Sequence, residues 1–264
     1  MHRRRAPSTA APTLSQHFLR SQRLAADLAD AAGITAGDHV LDIGAGQGIL
    51  TFALAERGAR VTAIELDPVL AERLARRCRC SNNVTVRQAD ILRTDLPDGP
   101  FAVVANLPFH STSAILRHLL DDPLIPLQAA ALILEWGHAC GMASPHRPTR
   151  EAISWGPWYA LSLVRRLEPR VFDPPPRVAA AVVTIMRRQE PLLAIGETAR
   201  FRSLLRRTFA AGHVPLKAQL AGRLSARRWT ALAQELGFPT AARPGDLDIW
   251  QWTAVHRALN VAAR

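Results

Sequence analysis

HVLDIGAGQG occupies residues 39–48 and joins a short apolar segment to three closely spaced glycines. A strand that runs into a glycine-rich turn and then a helix is an arrangement that binds nucleotides, because glycine lets the backbone approach a ligand closely. The same stretch also fits a plain tight connection between a strand and a helix. The pattern therefore predicts an α/β sheet and makes the turn a candidate binding site.

Apolar segments of strand length alternate with helical patterns on both sides of this turn. Such alternation predicts a Rossmann-like α/β sheet, mostly parallel and covered by helices on both faces. The predicted strands are His39–Ile43, Arg60–Leu66, Val84–Gln88, Phe101–Ala105, Ala129–Glu135, Ser162–Pro169 and Val178–Arg187. The predicted helices are Leu14–Ala32, Ile49–Arg57, Pro68–Cys78 and Thr112–Leu120.

The pattern changes after Arg188, where helical segments follow one another with no strand between them. These segments are Arg200–Ala210, Leu216–Leu224, Thr230–Leu236 and Ile249–Ala258. We therefore expect three parts: a basic arm over 1–13, an α/β domain over 14–188, and a small all-helical C-terminal domain over 189–264.

The formal net charge of +11 is concentrated at the two ends of the chain. Residues 1–13 have three arginines and no acid, residues 187–264 have thirteen basic and five acidic residues, and the segment between them has seventeen of each. Basic ends around a neutral body suit a protein that binds a polyanion, because basic side chains neutralise phosphates. Solvated surface charge is the alternative interpretation.

Composition argues against several other classes of protein. The three cysteines, Cys78, Cys80 and Cys140, form no C-x-x-C pair, so we expect neither a disulfide framework nor a metal site. No apolar run reaches the ~20 residues needed to span a membrane, and the start has no secretory pattern. We expect a cytoplasmic monomer without membrane contact.

Two acidic residues follow predicted strands near the glycine turn. Glu65 ends the second strand, at the spacing expected for a carboxylate that accepts from ribose hydroxyls. Asp90 follows the third strand, where it could accept from an adenine amino group; a solvated strand end and a helix N-cap are the alternatives. No lysine follows the glycines, which disfavours a nucleoside triphosphate. The pattern indicates an adenosine without phosphates.

Asn106-Leu107-Pro108-Phe109 follows the fourth strand, at the edge where ligands bind to open α/β sheets. A simple turn is one explanation. For chemistry, Asn106 offers a neutral acceptor, Pro108 fixes the turn so that the Leu107 carbonyl points to the same place, and Phe109 offers a flat surface for a base. Two acceptors could hold the hydrogens of an adenine amino group out of the ring plane, so that its nitrogen can accept a methyl group.

These motifs resemble those of the ribosomal RNA adenine N6-methyltransferases, the family that contains the Erm resistance enzymes and the KsgA/Dim1 enzymes. Ser15–Leu19 is similar to the family's S-Q-N-F-L motif, and Phe172–Val178 to its F-x-P-x-P-x-V motif. The resemblance implies a class I methyltransferase fold, S-adenosylmethionine as methyl donor, no metal, and Phe172 enclosing the target base; a packed core aromatic is the alternative for Phe172. The residues expected to contact the cofactor are Gln16, His17, Leu19, Gly44, Gly46, Gly48, Glu65, Leu66, Asp90, Ile91 and Asn106.

Within this family the chain most resembles the Erm enzymes. Trp155, Trp158 and Tyr159 resemble a tryptophan-rich stretch of actinobacterial Erm enzymes, although sheet-face packing would also explain each ring. The resemblance implies methylation of one adenine of 23S ribosomal RNA in the macrolide region and resistance to macrolides, lincosamides and streptogramin B. Alternatives are a KsgA/Dim1-type enzyme for small-subunit RNA, a DNA adenine methyltransferase, a dinucleotide oxidoreductase, and a catalytically silent RNA-binding relative.

The chain departs from the family pattern at three places. His17 replaces the usual asparagine, Glu135–His138 replaces a Q-W-E-V-like sequence, and Ala179–Ala181 stands where Asp-Ser is common. These changes affect the surface expected to face RNA more than they affect the fold.

Overall fold

The computed structural model describes residues 17–144 and 148–261. Its centre is a seven-stranded sheet in the order β4-β3-β2-β5-β6-β9-β7. The strands are β2 (His39–Ile43), β3 (Arg60–Glu65), β4 (Val84–Gln88), β5 (Phe101–Asn106), β6 (Leu127–Glu135), β7 (Tyr159–Leu167) and β9 (Ala180–Arg187). A separate antiparallel pair joins β1 (Phe18–Leu19) to β8 (Phe172–Asp173). The predicted α/β fold is confirmed.

Ten helices surround the sheet within the described ranges. They are α1 (Gln22–Ala31), α2 (Ile49–Glu56), α3 (Pro68–Arg77), α4 (Thr112–Leu120), α5 (Trp136–Ala143), α6 (Arg150–Trp155), α7 (Thr198–Ala210), α8 (Leu216–Gln219), α9 (Ala226–Leu236) and α10 (Ile249–Val261). No helix in the described part of the chain is long and apolar enough to cross a membrane.

The strand order creates the crevice that positions the site. β2 pairs in parallel with β3 on one side and with β5 on the other, so the direction of the connections reverses between β2 and β5. Ligands of open α/β sheets bind at the carboxyl ends of the strands at such a reversal. The loops after β2, β3 and β5 all lead into this crevice.

The predicted first helix was wrong at its start. The helix begins at Gln22 rather than Leu14, because the Ser21 side chain accepts a hydrogen bond from the Leu24 backbone N–H and caps the first turn. The preceding Phe18 and Leu19 form β1 instead. α8 is also shorter than predicted and ends at Gln219 rather than Leu224.

The core lies in two layers, one on each face of the sheet. One layer continues from the sheet into the C-terminal helices, where Trp155, Trp158 and Tyr159 are fully buried together with Phe201 and Trp252. The tryptophan-rich stretch therefore packs inside the molecule, as its alternative interpretation expected. The shared layer joins the helical segment firmly to the sheet.

Candidate active site

A cavity of about 370 Å³ lies at the carboxyl ends of β2, β3 and β5. Most of its wall is apolar, and none of the described residues that line it is lysine or arginine. The cavity is lined by His17, Phe18, Ile43, Gly44, Gly46, Ile64, Glu65, Leu66, Ala89, Asp90, Ile91, Leu92, Asn106, Leu107, Pro108, Phe109, His110, Ser111 and Ile115.

The glycine turn forms one wall because it leaves no room for side chains. Gly46 has φ +53°, and a Cβ atom there would lie 2.9 Å from the Phe18 ring. The Gly44 backbone N–H donates to the Ile64 carbonyl oxygen at 2.8 Å, which ties the turn to β3. These contacts hold a bare backbone against the cavity.

Gly48 serves a different purpose from the predicted cofactor contact. It does not line the cavity; it caps α2 with φ +84°, and a Cβ atom there would lie 2.3 Å from Leu74 Cδ1. The prediction is corrected: Gly48 allows α2 and α3 to pack closely.

Glu65 fastens the glycine turn and keeps acceptor capacity for a ligand. The buried carboxylate accepts from the Gly46 N–H at 2.7 Å and from the Asp67 N–H at 2.8 Å, one bond to each oxygen. Each carboxylate oxygen can accept a second hydrogen bond. Glu65 can therefore bind ribose hydroxyls while it holds the turn.

Asp42, which carried no predicted role, lies fully buried beneath this turn. The Thr51 hydroxyl donates to its Oδ2 at 2.5 Å, and its Oδ1 has no hydrogen-bond partner among the described residues. Burial raises the pKa of Asp42 from 3.8 to about 7, and the negative charge of Glu65 adds to the rise. The aspartate in the D-x-G sequence could have signalled this position.

Asp90 reaches the cavity from the end of β4. Its Oδ1 accepts from the Leu92 backbone N–H at 2.9 Å, so the predicted alternative of an N-cap is realised. Its other carboxylate oxygen has no donor in the part of the chain that the structure describes. The residue can therefore cap its turn and also accept a hydrogen bond from a ligand.

Asn106 presents an oriented amide at the end of β5. Its Nδ2 donates to the His17 carbonyl oxygen at 2.7 Å, and a carbonyl can only accept, which fixes the orientation of the amide. Oδ1 of Asn106 and the carbonyl oxygen of Leu107 bind no donor within the described ranges. Two neighbouring acceptors thus remain available beside the cavity.

The following residues hold this strand end in place. The Pro108 carbonyl oxygen accepts from the Ser111 N–H at 3.1 Å and from the Thr112 hydroxyl at 3.2 Å, which fastens the turn to the start of α4. Phe109 lies at the cavity wall, with its ring centroid 6.0 Å from that of His17. The turn therefore presents an aromatic face close to the two acceptors.

His17 connects three predicted motifs. Its Nδ1 lies 2.8 Å from the Pro174 carbonyl oxygen, so this nitrogen carries the proton and donates. Its backbone oxygen holds Asn106, and its ring lies against Phe109. His17, at the position where the family usually has asparagine, thus supports the strand end of β5 through its backbone oxygen and packs its ring against Phe109.

Two further predictions are corrected by the structure. Phe172 has no exposed surface and packs in the core beside its β-sheet partner Leu19. Neither residue lines the cavity, because the β1–β8 pairing turns both side chains inward. Ser15 and Gln16 lie outside the described residues.

Phe18, His110 and Ser111 line the cavity although the motifs did not single them out. Phe18 lies inside the Ser15–Leu19 motif, which could have signalled it. His110 and Ser111 are brought to the wall by the turn that follows Phe109.

The cavity fits the methyl donor that the motifs imply. An adenosine suits its bare glycine wall, the acceptors at Glu65 and Asp90 and the apolar surfaces at Ile64 and Ile91. Because no lysine or arginine is among the described lining residues, the cavity suits a ligand without phosphates. No group of His, Cys, Asp and Glu side chains in the described ranges could hold a metal ion.

Comparisons with known proteins agree with this geometry. A family model described as ribosomal RNA adenine dimethylase matches residues 8–259. Mycinamicin-resistance protein MyrB of Micromonospora griseorubida is 34% identical over 92% of this chain and 77% of its own length. Ribosomal RNA small subunit methyltransferase A of Rubrobacter xylanophilus is 34% identical over 94% of each chain. The crystal structure of 23S rRNA methyltransferase ErmE has a TM-score of 0.84 to this fold at 30% identity, covering 92% of this chain and 99% of its own.

The matched region contains both the sheet with its cavity and the helical segment. The chain therefore belongs to the ribosomal RNA adenine dimethylase family and is an S-adenosylmethionine-dependent enzyme that methylates N6 of adenine in ribosomal RNA.

Proposed function

We propose that the substrate is one adenine of 23S ribosomal RNA in the macrolide region, and that its methylation in the cytoplasm gives resistance to macrolides, lincosamides and streptogramin B. Support comes from the similarity to MyrB, a mycinamicin-resistance protein, and to ErmE, a 23S rRNA methyltransferase. A methyl group on the adenine would block drug binding without a change elsewhere in the ribosome.

The observation that carries the chemistry is the pair of acceptors at the end of β5. Asn106 Oδ1 and the Leu107 carbonyl oxygen would accept the two hydrogens of the adenine amino group. These bonds would take the nitrogen lone pair out of conjugation with the ring, which makes the nitrogen a better nucleophile. Because Asn106 is neutral, this acceptor does not change with pH. Positioning of this kind can supply a large part of a rate enhancement.

The remaining cavity residues have separate tasks in this proposal. Phe109 provides a surface on which the extruded adenine stacks, while Glu65 and Asp90 accept from the ribose and adenine of the methyl donor. S-adenosylmethionine supplies an electrophilic methyl group carried on sulfur. The backbone at Gly44 and Gly46 leaves room for the donor beside the adenine.

We propose that residues 14–188 form the methyltransferase domain and that the helical domain, 189–264, adds RNA binding. Its surplus of basic residues supports this role, because basic side chains can neutralise the phosphates of RNA. The arm over 1–13 carries three further arginines and would add to the same attraction.

Dimethylation of small-subunit adenines is the second candidate. The similarity to the Rubrobacter xylanophilus small-subunit enzyme, which spans 94% of both chains, favours it. The acceptor pair at Asn106 and Leu107 suits either RNA, so the cavity alone does not discriminate between the two substrates.

Parallel methylation of isolated 23S and 16S ribosomal RNA with radiolabelled S-adenosylmethionine discriminates between them. We expect label in 23S RNA, a primer-extension stop at one adenine, and a higher macrolide tolerance in cells that express the protein. Label confined to 16S RNA, with unchanged macrolide tolerance, would contradict the proposal and support the second candidate.

A further inference from the structure

A second aromatic group lies at the carboxyl edge of the sheet, on the strand next to Asn106. Trp136 begins α5 directly after β6, and its backbone N–H donates to the Ala179 carbonyl oxygen at 2.9 Å. The half-buried ring packs against the core, and the Arg166 guanidinium carbon lies 5.1 Å from the ring centroid. This distance is within the range of a cation–π interaction.

The strand register places this pair within reach of RNA bound at the cavity. Ile133 of β6 lies beside Asn106 of β5, and Trp136 follows three residues later. At about 3.3 Å per residue and about 4.8 Å between strands, the backbones of Asn106 and Trp136 are roughly 11 Å apart. A nucleotide that flanks an adenine held at Asn106 can reach that far.

Arg166 is free to exchange its present partner for a phosphate. Its side chain is 55% exposed, and its ion pair with Glu168, at 3.5 Å, is equally exposed. Exposed ion pairs of this kind contribute little to the stability of the fold, so breaking this one costs little free energy. The neighbouring Arg165 pairs with Asp27 of α1 instead, so Arg166 is the one of the two that lies over Trp136.

We propose that Trp136 and Arg166 form a binding site for the nucleotide next to the target adenine, in which Arg166 binds the phosphate and Trp136 orients the guanidinium. Guanidinium groups suit phosphates because they donate in a planar fork, and they also stack on aromatic rings. The inference rests on the proposed function of Asn106–Phe109 as the pocket for the adenine. The contact between Arg166 and this phosphate would fix the direction in which the RNA strand enters that pocket.

Trp250 offers a matched control within the same chain. The Arg188 guanidinium carbon lies 5.2 Å from the centroid of the Trp250 ring. However, Arg188 follows the end of β9, which runs antiparallel to β6 and ends at the opposite edge of the sheet. Both pairs place an arginine over a tryptophan ring, but they lie at opposite edges of the sheet. Arg188 Nε also donates to the Gly156 carbonyl oxygen at 2.9 Å, so the substitution that serves as the control is made at Trp250.

The test measures steady-state methylation of the ribosomal RNA that the wild-type enzyme methylates, at several salt concentrations. We expect Arg166→Gln and Trp136→Leu to raise the KM for RNA about 5- to 10-fold, with kcat at saturating RNA and the Kd for S-adenosylmethionine unchanged. Arg166→Gln should reduce the slope of log KM against log salt by about one, as the loss of one phosphate contact requires, whereas Arg166→Lys should keep that slope. Trp250→Leu should change none of these values.

An unchanged KM and salt slope in Arg166→Gln would overturn the inference, and so would an equal effect of Trp250→Leu. If Trp136→Leu does not fold, the exposed Arg166 variants still decide, because their substitution leaves the core intact. Asn106→Ala separates the two proposals: retained turnover in that variant would overturn the pocket itself. Lost turnover in Asn106→Ala, together with an unaffected Arg166→Gln, would overturn the nucleotide site alone.

Discussion

Replacing Asn106 with alanine should slow methyl transfer about 100-fold without unfolding the enzyme. The variant loses the Oδ1 acceptor that we assign to the adenine amino group. A preorganised hydrogen bond in an active site contributes about 3 kcal/mol to the transition state, which corresponds to about a hundredfold in rate. The variant also loses the 2.7 Å bond from Nδ2 to the His17 carbonyl oxygen. One such bond contributes about 1 kcal/mol to stability, so the protein should remain folded.

The assay is single-turnover transfer of a radiolabelled methyl group to ribosomal RNA, with cofactor binding measured separately by calorimetry. Asn83→Ala is the matched control, because the Asn83 amide donates to the Ala55 and Ala59 carbonyl oxygens, each at 2.9 Å, and the residue does not line the cavity. We expect Asn83→Ala to lose stability but to keep its rate, and Asn106→Ala to keep measurable cofactor binding while it loses its rate. A rate for Asn106→Ala within about threefold of the wild type would refute the acceptor-pair mechanism, since it would leave less than 1 kcal/mol for this contact.

Three further predictions follow from contacts described above. Phe109→Leu should lower the rate of methyl transfer about tenfold with little change in the free energy of unfolding. Phe172→Leu, at a buried position, should instead lower the free energy of unfolding in urea by about 1 kcal/mol and keep its rate of methyl transfer. The reverse pattern would restore Phe172 as a base contact. The folded-state pKa of Asp42 is raised from 3.8 to about 7, so its contribution to stability is present below pH 3.8 and is lost as the pH rises through 7. The part of this loss that falls between pH 5 and pH 8 is roughly 3 kcal/mol, so Asp42→Asn should gain about that much stability relative to the wild type at pH 8 compared with pH 5. Equal differences at both pH values would contradict the assignment. Gly48→Ala should destabilise the enzyme by about 2 kcal/mol or more, because its Cβ would meet Leu74 at a left-handed backbone; an unchanged melting temperature would argue against this packing role.

The local sequence pattern was sufficient to predict the bounds of an element where that element's own residues determine its burial or its helical spacing. β2 has the predicted bounds because four of its five residues are buried, and α4 has them because its apolar residues recur at helical spacing. The glycine turn directly follows β2 and Asn106 is the last residue of β5, so both lie at the carboxyl edge of the sheet, as the strand pattern predicted. The cavity-lining positions at Glu65 and Asp90 followed from the same logic.

Long-range pairing explains what could not be predicted. α5 was missed because Gly137 and Gly141 weaken its helical pattern, and α6 because it has only six residues and its buried face packs in the shared core. The family resemblance implied that Phe172 encloses the target base, but its side chain follows the pairing of β8 with β1, which joins residues more than 150 positions apart. His17 could not be connected to Asn106 for the same reason.

The bond between the His17 carbonyl and Asn106 spans 89 positions of the chain. The amide that we assign to chemistry is therefore aligned by a segment far upstream, which pairs with β8 outside the seven-stranded sheet. Proteolytic trimming beyond residue 19 would remove the His17 carbonyl and the Phe18 ring that lies against Gly46, and would let this amide rotate. Such a trimmed enzyme should bind its cofactor more weakly, because His17 and Phe18 line the cavity, and it should be slow in transfer. Integrity of the amino-terminal segment therefore belongs among the controls of any activity measurement.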